Sequence, residues 1–290
     1  MTLVTSEPLA DGVYPSSLGY FPDPTRLSPN GAKRLLPPST PSKFDEYRKN
    51  PPGPKRVWDF GTVAHKLVLN EGDQFLVLDP AIHGLKKDGG IADNPRATAD
   101  WKAAEARARA EGLTPIHVDD YHKAVAMAQK VHQHETAGPL LAKGDAEQWL
   151  YWTDEGSGQK LRARLDWITR ENGHVTIVEY KTAAEAHQDA FERQAFKLGY
   201  FLAFAFAVTG AKTLGLGTPD YVFIAQEKEP PYDLTVCEPD DVALQAACQQ
   251  MKQVIETYQR CTEANVWPGY PVGRHPITFP LWAIDDEMEF

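Results

Sequence analysis

Cysteine is scarce in this chain: Cys237, Cys248 and Cys261 are odd in number, widely spaced and form no Cys-X-X-Cys pair. That pattern argues against a disulfide framework, a cysteine zinc site and an iron–sulfur cluster, and leaves buried or idle thiols. Long apolar runs are missing too, none approaching the roughly 20 residues that a membrane-spanning helix needs. The first residues, Met1-Thr2-Leu3-Val4-Thr5-Ser6-Glu7, carry no basic segment followed by a hydrophobic one, so a soluble, unexported protein without a membrane partner is expected. Positive charge is in deficit: the formal net charge is −10, awkward for an enzyme that binds nucleic acid, because phosphate binding draws on Lys and Arg. Acidic residues concentrate at Asp285-Asp286-Glu287-Met288-Glu289, whereas cations cluster at Lys55-Arg56, Lys86-Lys87 and Arg107 to Arg109. A positive groove within an acidic envelope therefore stays open.

An apolar fraction of 42% over 290 residues is ample for a core, and the length suits one domain with additions. Residues 1–27 are rich in Pro and Gly without periodicity and read as an extended arm. Ser28-Pro29 opens a short helix through Leu36 that Pro37-Pro38 stops, and a second short helix spans Pro41 to Lys49. After the breaker Pro51-Pro52-Gly53-Pro54, Asp59 is expected to cap a helix from Phe60 to Leu69 with His65 in its middle. Phe75 to Leu78 reads as a strand, 79–94 as a loop, Pro95 to Glu111 as a helix ended by Gly112, and Asp119 or Asp120 to His134 as another. Strands are expected at Glu147 to Thr153, Lys160 to Thr169 and Val175 to Lys181. His187 to Val208 reads as one long helix whose second half is apolar nearly all round. Strands at Tyr221 to Gln226 and Leu234 to Val236 and a closing helix from Asp240 to about Glu263 complete the pattern. Residues 28–264 thus form a single domain, with 28–145 mainly helical and 146–264 supplying the core sheet and its helices. Residues 265–290 form a tail with Trp267, Tyr270, Trp282 and the acidic run. The fold class is α/β, a central mixed sheet flanked by helices, with helical additions at the amino-terminal side.

Chemistry concentrates on one hairpin. Leu161 to Ile168 alternates apolar and polar residues, breaks at Glu171-Asn172-Gly173, and resumes as Val175-Thr176-Ile177-Val178-Glu179-Tyr180-Lys181. Successive strand side chains point to opposite faces, so Glu179 and Lys181 share a face and Tyr180 points away. Asp166 lies near them if the register permits. Two carboxylates suit Mg²⁺ or Mn²⁺, which polarises a phosphoryl oxygen and makes a bound water easier to deprotonate. The lysine orients that water or steadies developing negative charge. The plainer alternative is a charged strand face with no chemistry. Against it, Val175 to Val178 is an apolar run typical of a buried strand, and ionised groups closing such a strand need a partner or a metal.

With this motif on a strand-turn-strand and a long helix behind it, the chain resembles the PD-(D/E)XK nuclease superfamily, and within it the exonuclease VIII (RecE-type) proteins of phages and prophages. The resemblance also runs through Leu27-Ser28-Pro29-Asn30-Gly31-Ala32-Lys33-Arg34-Leu35-Leu36, through Gly61-Thr62-Val63-Ala64-His65-Lys66-Leu67, and from Trp101 to Pro115. It implies metal ligation by His65, Asp166, Glu179 and the backbone carbonyl of Tyr180, with Lys181 as the catalytic lysine. Glu147 matches an acidic position on the preceding strand and supports the site. Arg162 and Arg164 alternate ahead of Asp166 and either meet phosphate or balance Glu147 or Glu155 at the surface. One departure is plain: relatives carry a glutamine and a tyrosine in the helix after a Gly-Tyr pair, whereas Ala203 and Ala207 follow Gly199-Tyr200 here. Gln194, earlier on the helix, is the available substitute.

The resemblance further implies a Mg²⁺-dependent exodeoxyribonuclease, with Mn²⁺ able to substitute, that digests linear double-stranded DNA from its ends. The expected direction is 5′ to 3′, leaving 3′ single strands for a single-strand annealing protein in recombination. It also implies a homo-oligomeric ring, a tetramer being one size, and a cytoplasmic site of action in a bacterial host of the phage or prophage. The rival readings are an endonuclease of the same superfamily, a DNA-binding module that has lost activity, and a two-carboxylate glycosidase, in which Lys181 has no ready role.

Overall fold

The computed structural model describes residues 9–16, 23, 25–171 and 173–277; Asn172, Trp282 and the acidic run at 285–289 lie outside them. Strand β1 (Gly12–Pro15) opens the described chain, so the expected arm contributes a strand. Helix α1 (Pro29–Ala32) begins where the Ser28 side chain accepts from the Gly31 N–H, and a 3-10 turn at Lys33–Leu35 follows it. Helix α2 spans Pro41–Lys49. Helix α3 (Arg56–Leu69) starts a turn before Asp59, which is not its cap: the Asp59 carboxylate accepts from Arg109 at 2.7 Å.

Strand β2 (Phe75–Leu78) leads into α4 (Pro80–His83), a short helix inside the expected loop, where Asp79 caps by accepting from the Ala81 N–H. Helix α5 (Ala99–Ala110) begins later than expected, because the Thr98 side chain caps it by accepting from the Trp101 N–H. Strand β3 (Thr114–His117) had no sequence signal: its four residues, Thr-Pro-Ile-His, are too few to show a period, and it exists by pairing in parallel with β2. Helices α6 (Val118–Gln133) and α7 (Ala137–Leu140) precede the meander of β4 (Asp145–Thr153), β5 (Lys160–Glu171) and β6 (His174–Ala183). Glu171 pairs with His174 across a two-residue turn.

The helix expected at 187–208 is two helices, α8 (Gln188–Leu198) and α9 (Tyr200–Thr213), bent by 77°. Gly199 sits between them at φ +76°, where a side chain would be strained, and its N–H closes α8 onto the Ala195 and Phe196 carbonyls. Apolar periodicity continues on both sides of the break, which hides it. Strands β7 (Asp220–Glu227) and β8 (Leu234–Cys237) follow, then α10 (Asp241–Ala264), capped where Asp240 accepts from the Ala243 N–H.

Six strands form one sheet in the order β1-β4-β5-β6-β7-β8; β6 and β7 run parallel and every other neighbouring pair is antiparallel. A parallel step needs a long crossover, and α8 with α9 supplies it. The core on the α9 and α10 side holds Trp152, Ile168, Ile177, Leu202 and Phe206, and the core on the α3 and α6 side holds Val63, Val131, Val178, Tyr180 and Ile224. Each such fully buried side chain contributes about 1.5–3 kcal/mol. Trp152 meets Phe206 edge-on at 5.9 Å, and α9 passes close because residue 210 is glycine: a Cβ there would stand 2.9 Å from the Trp152 ring. The tail also begins in contact with the domain, Trp267 stacking on Phe44 at 5.3 Å. Among the described residues no single helix is long and apolar enough to cross a membrane.

Candidate active site

Register brings the carboxylates together. Ala146 pairs with Trp167 and Gln148 with Leu165, which sets Glu147 opposite Asp166 across β4 and β5. On the other side of β5 the ladder to β6 ends at Trp167 and Val178. The next pair in register would be Asp166 with Glu179, but the Tyr180 N–H donates instead to Asp166 Oδ2 at 3.0 Å. Glu147, Asp166 and Glu179 therefore stand at one level on three adjacent strands. In a strand a residue's N–H and C=O point the same way, so the Tyr180 carbonyl faces the same opening.

Both β4 and β5 change side-chain phase at this level. Leu150 and Trp152 face the first core, whereas Ala146, of the same parity, packs on the second. The change falls at Glu147, a non-glycine residue in the left-handed region with φ +53°. Along β5, Leu165 and Ile168 belong to one core despite opposite parity, with Asp166 between them.

His65 comes from α3, whose Val63, Ala64 and Val68 are buried in the second core and fix the helix against the sheet. Its Nε2 lies 3.0 Å from Asp166 Oδ1 and its Nδ1 3.3 Å from Glu147 Oε1. Lys181 Nζ donates to Glu179 Oε1 at 2.6 Å and to Asp166 Oδ2 at 3.2 Å. Arg164 pairs with the second oxygen of Glu147. Glu147, Asp166 and Glu179 are 0%, 7% and 9% exposed, so these charges interact across little water.

Burial alone would raise the Asp166 carboxyl, but Lys181 and His65 outweigh it and hold the group well below the usual carboxylate range. Glu179 is pushed up, by burial first and then by the Asp166 charge, as expected where neighbouring carboxylates cannot both ionise freely. Burial would lower the Lys181 ammonium, yet Asp166 and Glu179 raise it above its ordinary value. His65 behaves alike: burial lowers it, and Asp166 and Glu147 more than reverse that. Burial raises Glu147 despite Arg164 beside it.

The site opens on two sides. A cavity of about 470 Å³ is lined by Arg162, Arg164, Asp166, Glu179, Lys181 and Tyr200, among others, and a second of about 270 Å³ by Gly61, Thr62, His65 and Asp73. Arg164, Lys181 and Tyr200 border both. The larger cavity continues past Ser28, Tyr47 and Arg162 into a groove of about 420 Å³ that also carries Arg48 and Lys49. This is a local excess of cations in an acidic protein.

Three residues read from the resemblance fall differently. Gln194 lies beside Tyr200; Ala203 lines the larger cavity; Ala207 is buried in the first core. Sequence reasoning missed Tyr200, whose ring centre is 5.7 Å from Lys181 Nζ, and Lys33, whose Nζ donates to the Leu198 carbonyl at the cavity wall. The Gly199-Tyr200 pair was the available signal for Tyr200, since a left-handed glycine redirects the next residue. Nothing in sequence marked Lys33.

Two carboxylates, an imidazole and a carbonyl form a donor set suited to Mg²⁺ or Mn²⁺. Among the described residues no three His, Cys, Asp or Glu groups already surround a common point, because Asp166 is engaged by His65 and Lys181, and Glu179 by Lys181. A bound cation would replace part of those contacts.

An antiparallel hairpin with Asp on one strand and Glu-Tyr-Lys on the next, continued through helices into a parallel strand and covered on both faces, defines the PD-(D/E)XK nuclease superfamily. Residues 46–274 match the family described as "PDDEXK-like domain of unknown function (DUF3799)", and the chain belongs to it. The crystal structure of a "Putative exonuclease" from Eubacterium rectale shares the fold, with a TM-score of 0.60 at 12% identity over 88% of this chain and 92% of that one. The crystal structure of SSO0001 aligns over 72% of this chain and 87% of that one at 10% identity, with a TM-score of 0.29. No curated protein matches the chain.

Proposed function

We propose that this protein is a Mg²⁺-dependent exodeoxyribonuclease acting on the ends of linear double-stranded DNA. The observation that carries this reading is the level line of Glu147, Asp166 and Glu179 across three strands, with Lys181 bonded to two of them and His65 closing the line. His65, Asp166, Glu179 and the Tyr180 carbonyl would hold Mg²⁺ or Mn²⁺, which supplies Lewis acidity at a phosphoryl oxygen and a more acidic water. Lys181 keeps its proton through neutral pH and donates toward the carboxylates, so it is placed to orient a water or to steady negative charge on the phosphate. Arg162, Lys33, Arg48 and Lys49 along the continuous groove would contact backbone phosphates, which suits a strand lying across the site.

Direction and biology rest on the resemblance to exonuclease VIII proteins, and the exonuclease reading is further supported by the shared fold of the Eubacterium rectale protein described as a "Putative exonuclease". On that basis digestion runs 5′ to 3′ and leaves 3′ single strands for an annealing partner in recombination. A homo-oligomeric ring would hold the DNA, and the protein would act in the bacterial cytoplasm as a phage or prophage product.

The test incubates purified protein with linear and closed circular duplexes of equal length and Mg²⁺, beside Lys181→Ala and Glu179→Ala. Digestion of the linear form alone, lost in both variants, supports the reading. Rapid cutting of closed circles would make it an endonuclease, and no digestion above the variants' background would leave a DNA-binding module.

A further inference from the structure

We infer that Gln226 is a positioning residue for the site: by accepting from the Tyr180 hydroxyl it fixes the Tyr180 peptide, whose N–H holds Asp166 and whose carbonyl faces the opening. This role deepens the nuclease reading and rests on it for its purpose. The latch itself is a property of the fold.

Strand β7 carries Val222-Phe223-Ile224-Ala225-Gln226, and alternation puts residues 222, 224 and 226 on one face. Val222 and Ile224 lie in the core on the α3 and α6 side, so the pattern calls for an apolar residue at 226. Gln226 stands there instead, 0% exposed. A buried amide is tolerated when its polar atoms are bonded, and here they are. Nε2 donates to the Met127 carbonyl of α6 at 3.1 Å and to the Tyr232 carbonyl, in the turn before β8, at 3.2 Å. Both amide hydrogens are thereby used. Oε1 is left as the acceptor for the third neighbour, the Tyr180 hydroxyl at 2.8 Å.

Tyr180 needs such an anchor because its strand is half paired at that level. The ladder from β6 to β5 ends at Trp167 and Val178, and beyond it the Tyr180 N–H reaches β5 through the Asp166 carboxylate. On the other side Tyr180 stands opposite Ile224 of β7, and Thr182 opposite Gln226. The Tyr180 ring therefore runs forward along the sheet to a residue two positions further on, passing beside the His65 ring with centroids 6.4 Å apart. A carbonyl has no rotamer of its own, so its direction follows from how its peptide plane is held. With the ring tip on Gln226, and Gln226 on α6 and the turn, the peptide at the opening is tied to elements outside the site. A leucine at 226 would continue the apolar face and hold none of these groups. The plainer alternative is a structural tie among β7, α6 and the turn, with Tyr180 as a bystander.

The test compares wild type, Tyr180→Phe, Gln226→Leu and the Tyr180→Phe/Gln226→Leu double variant. Mn²⁺ affinity is read by calorimetry, and amide exchange by NMR without metal. Tyr180→Phe removes one hydroxyl and leaves both bonds from Nε2 in place, so it separates the latch from the tie. It should weaken Mn²⁺ binding about 10-fold, and Gln226→Leu should do the same. The double variant should bind within about two-fold of the weaker single variant, because each change breaks one shared link. Exchange at the Tyr180 N–H should quicken about 10-fold relative to that at Val178, which still pairs with Trp167.

In a protein that binds Mn²⁺, either readout left unmoved by Tyr180→Phe would overturn the role and leave the structural tie. Additive losses in the double variant would overturn it too, since Gln226 would then act by another route. If Gln226→Leu does not fold, Gln226→Met replaces it in both backgrounds. A wild type without affinity for Mn²⁺ or Mg²⁺ would sink the nuclease reading, and the exchange rates alone would then decide the latch. Digestion of DNA by a wild type whose Tyr180→Phe variant moves neither readout would sink the latch and leave the nuclease reading standing.

Discussion

Helix α3 takes part in two charged clusters built on opposite terms. At its first turn Arg56 and Asp59 interlock with Glu105 and Arg109 of α5, with Arg109 reaching Asp59 at 2.7 Å and Arg56 reaching Glu105 at 2.6 Å. That cluster has two cations and two anions, and each charge is used on another. Further along the same helix His65 meets Glu147 and Asp166, with Glu179 beside them, so three carboxylates face Arg164 and Lys181. A proton or a cation must join before that group balances, and the raised Glu179 is one expression of it. A cluster neutral in itself clasps two helices; one that is neutral only with a guest is where chemistry belongs.

The largest expected effect separates the two. Asp166→Asn or His65→Ala should lower DNA hydrolysis at least about 100-fold while moving the thermal midpoint little, since neither removes apolar packing. A large stability loss with metal affinity unchanged would make His65 a core histidine and erase the contrast. Next comes Arg109→Ala, which leaves the 8%-exposed Asp59 without its cation. Urea unfolding should show a loss of about 1–2 kcal/mol, and activity per folded molecule should stay within about three-fold of wild type. An activity loss as large as that of His65→Ala would mean that the clasp sets the site.

Gly210→Ala probes the platform under both clusters. Helix propensity favours alanine by about 1 kcal/mol, but the 2.9 Å approach to the rigid Trp152 ring opposes it. A net loss of about 1 kcal/mol is expected, and a gain would show that α9 shifts freely. The smallest effect is acid lability of the clasp. Burial raises Glu105, but Arg56 and Arg109 outweigh it and hold it below its ordinary 4.5. Because the folded value is the lower one, its contribution is complete above 4.5 and is lost as pH falls through the folded value. Between about pH 6 and about pH 3.5 the wild type should lose more stability than Glu105→Gln, by less than about 1 kcal/mol.

The sheet strands were legible because β5 alternates apolar and polar residues up to Leu165 and β6 resumes after Gly173 as an apolar run closed by charged residues, and the hairpin motif followed from them. His65 came from the resemblance around Gly61 to His65, since one histidine in an amphipathic helix gives no signal alone. Other features had no local pattern to read. Strand β1 exists through pairing with β4, residues more than a hundred positions away. Strand β3 is four residues made regular by a partner. The α8–α9 break at Gly199 was masked because apolar residues continue through it, although the break is what turns Tyr200 and Ala203 to the cavity.

Local order thus fixed which side chains leave one face of one strand: Glu179 and Lys181 stand together because strand side chains repeat every two residues. Register and phase lie between strands, and no run of residues encodes them alone. Glu147 meets Asp166, and the ladder opens at Asp166 and Glu179, because three strands packed between two helical layers leave one alignment that buries both apolar faces. The residue types for the chemistry were written in the chain, and their assembly into one charged group was decided by the packed sheet.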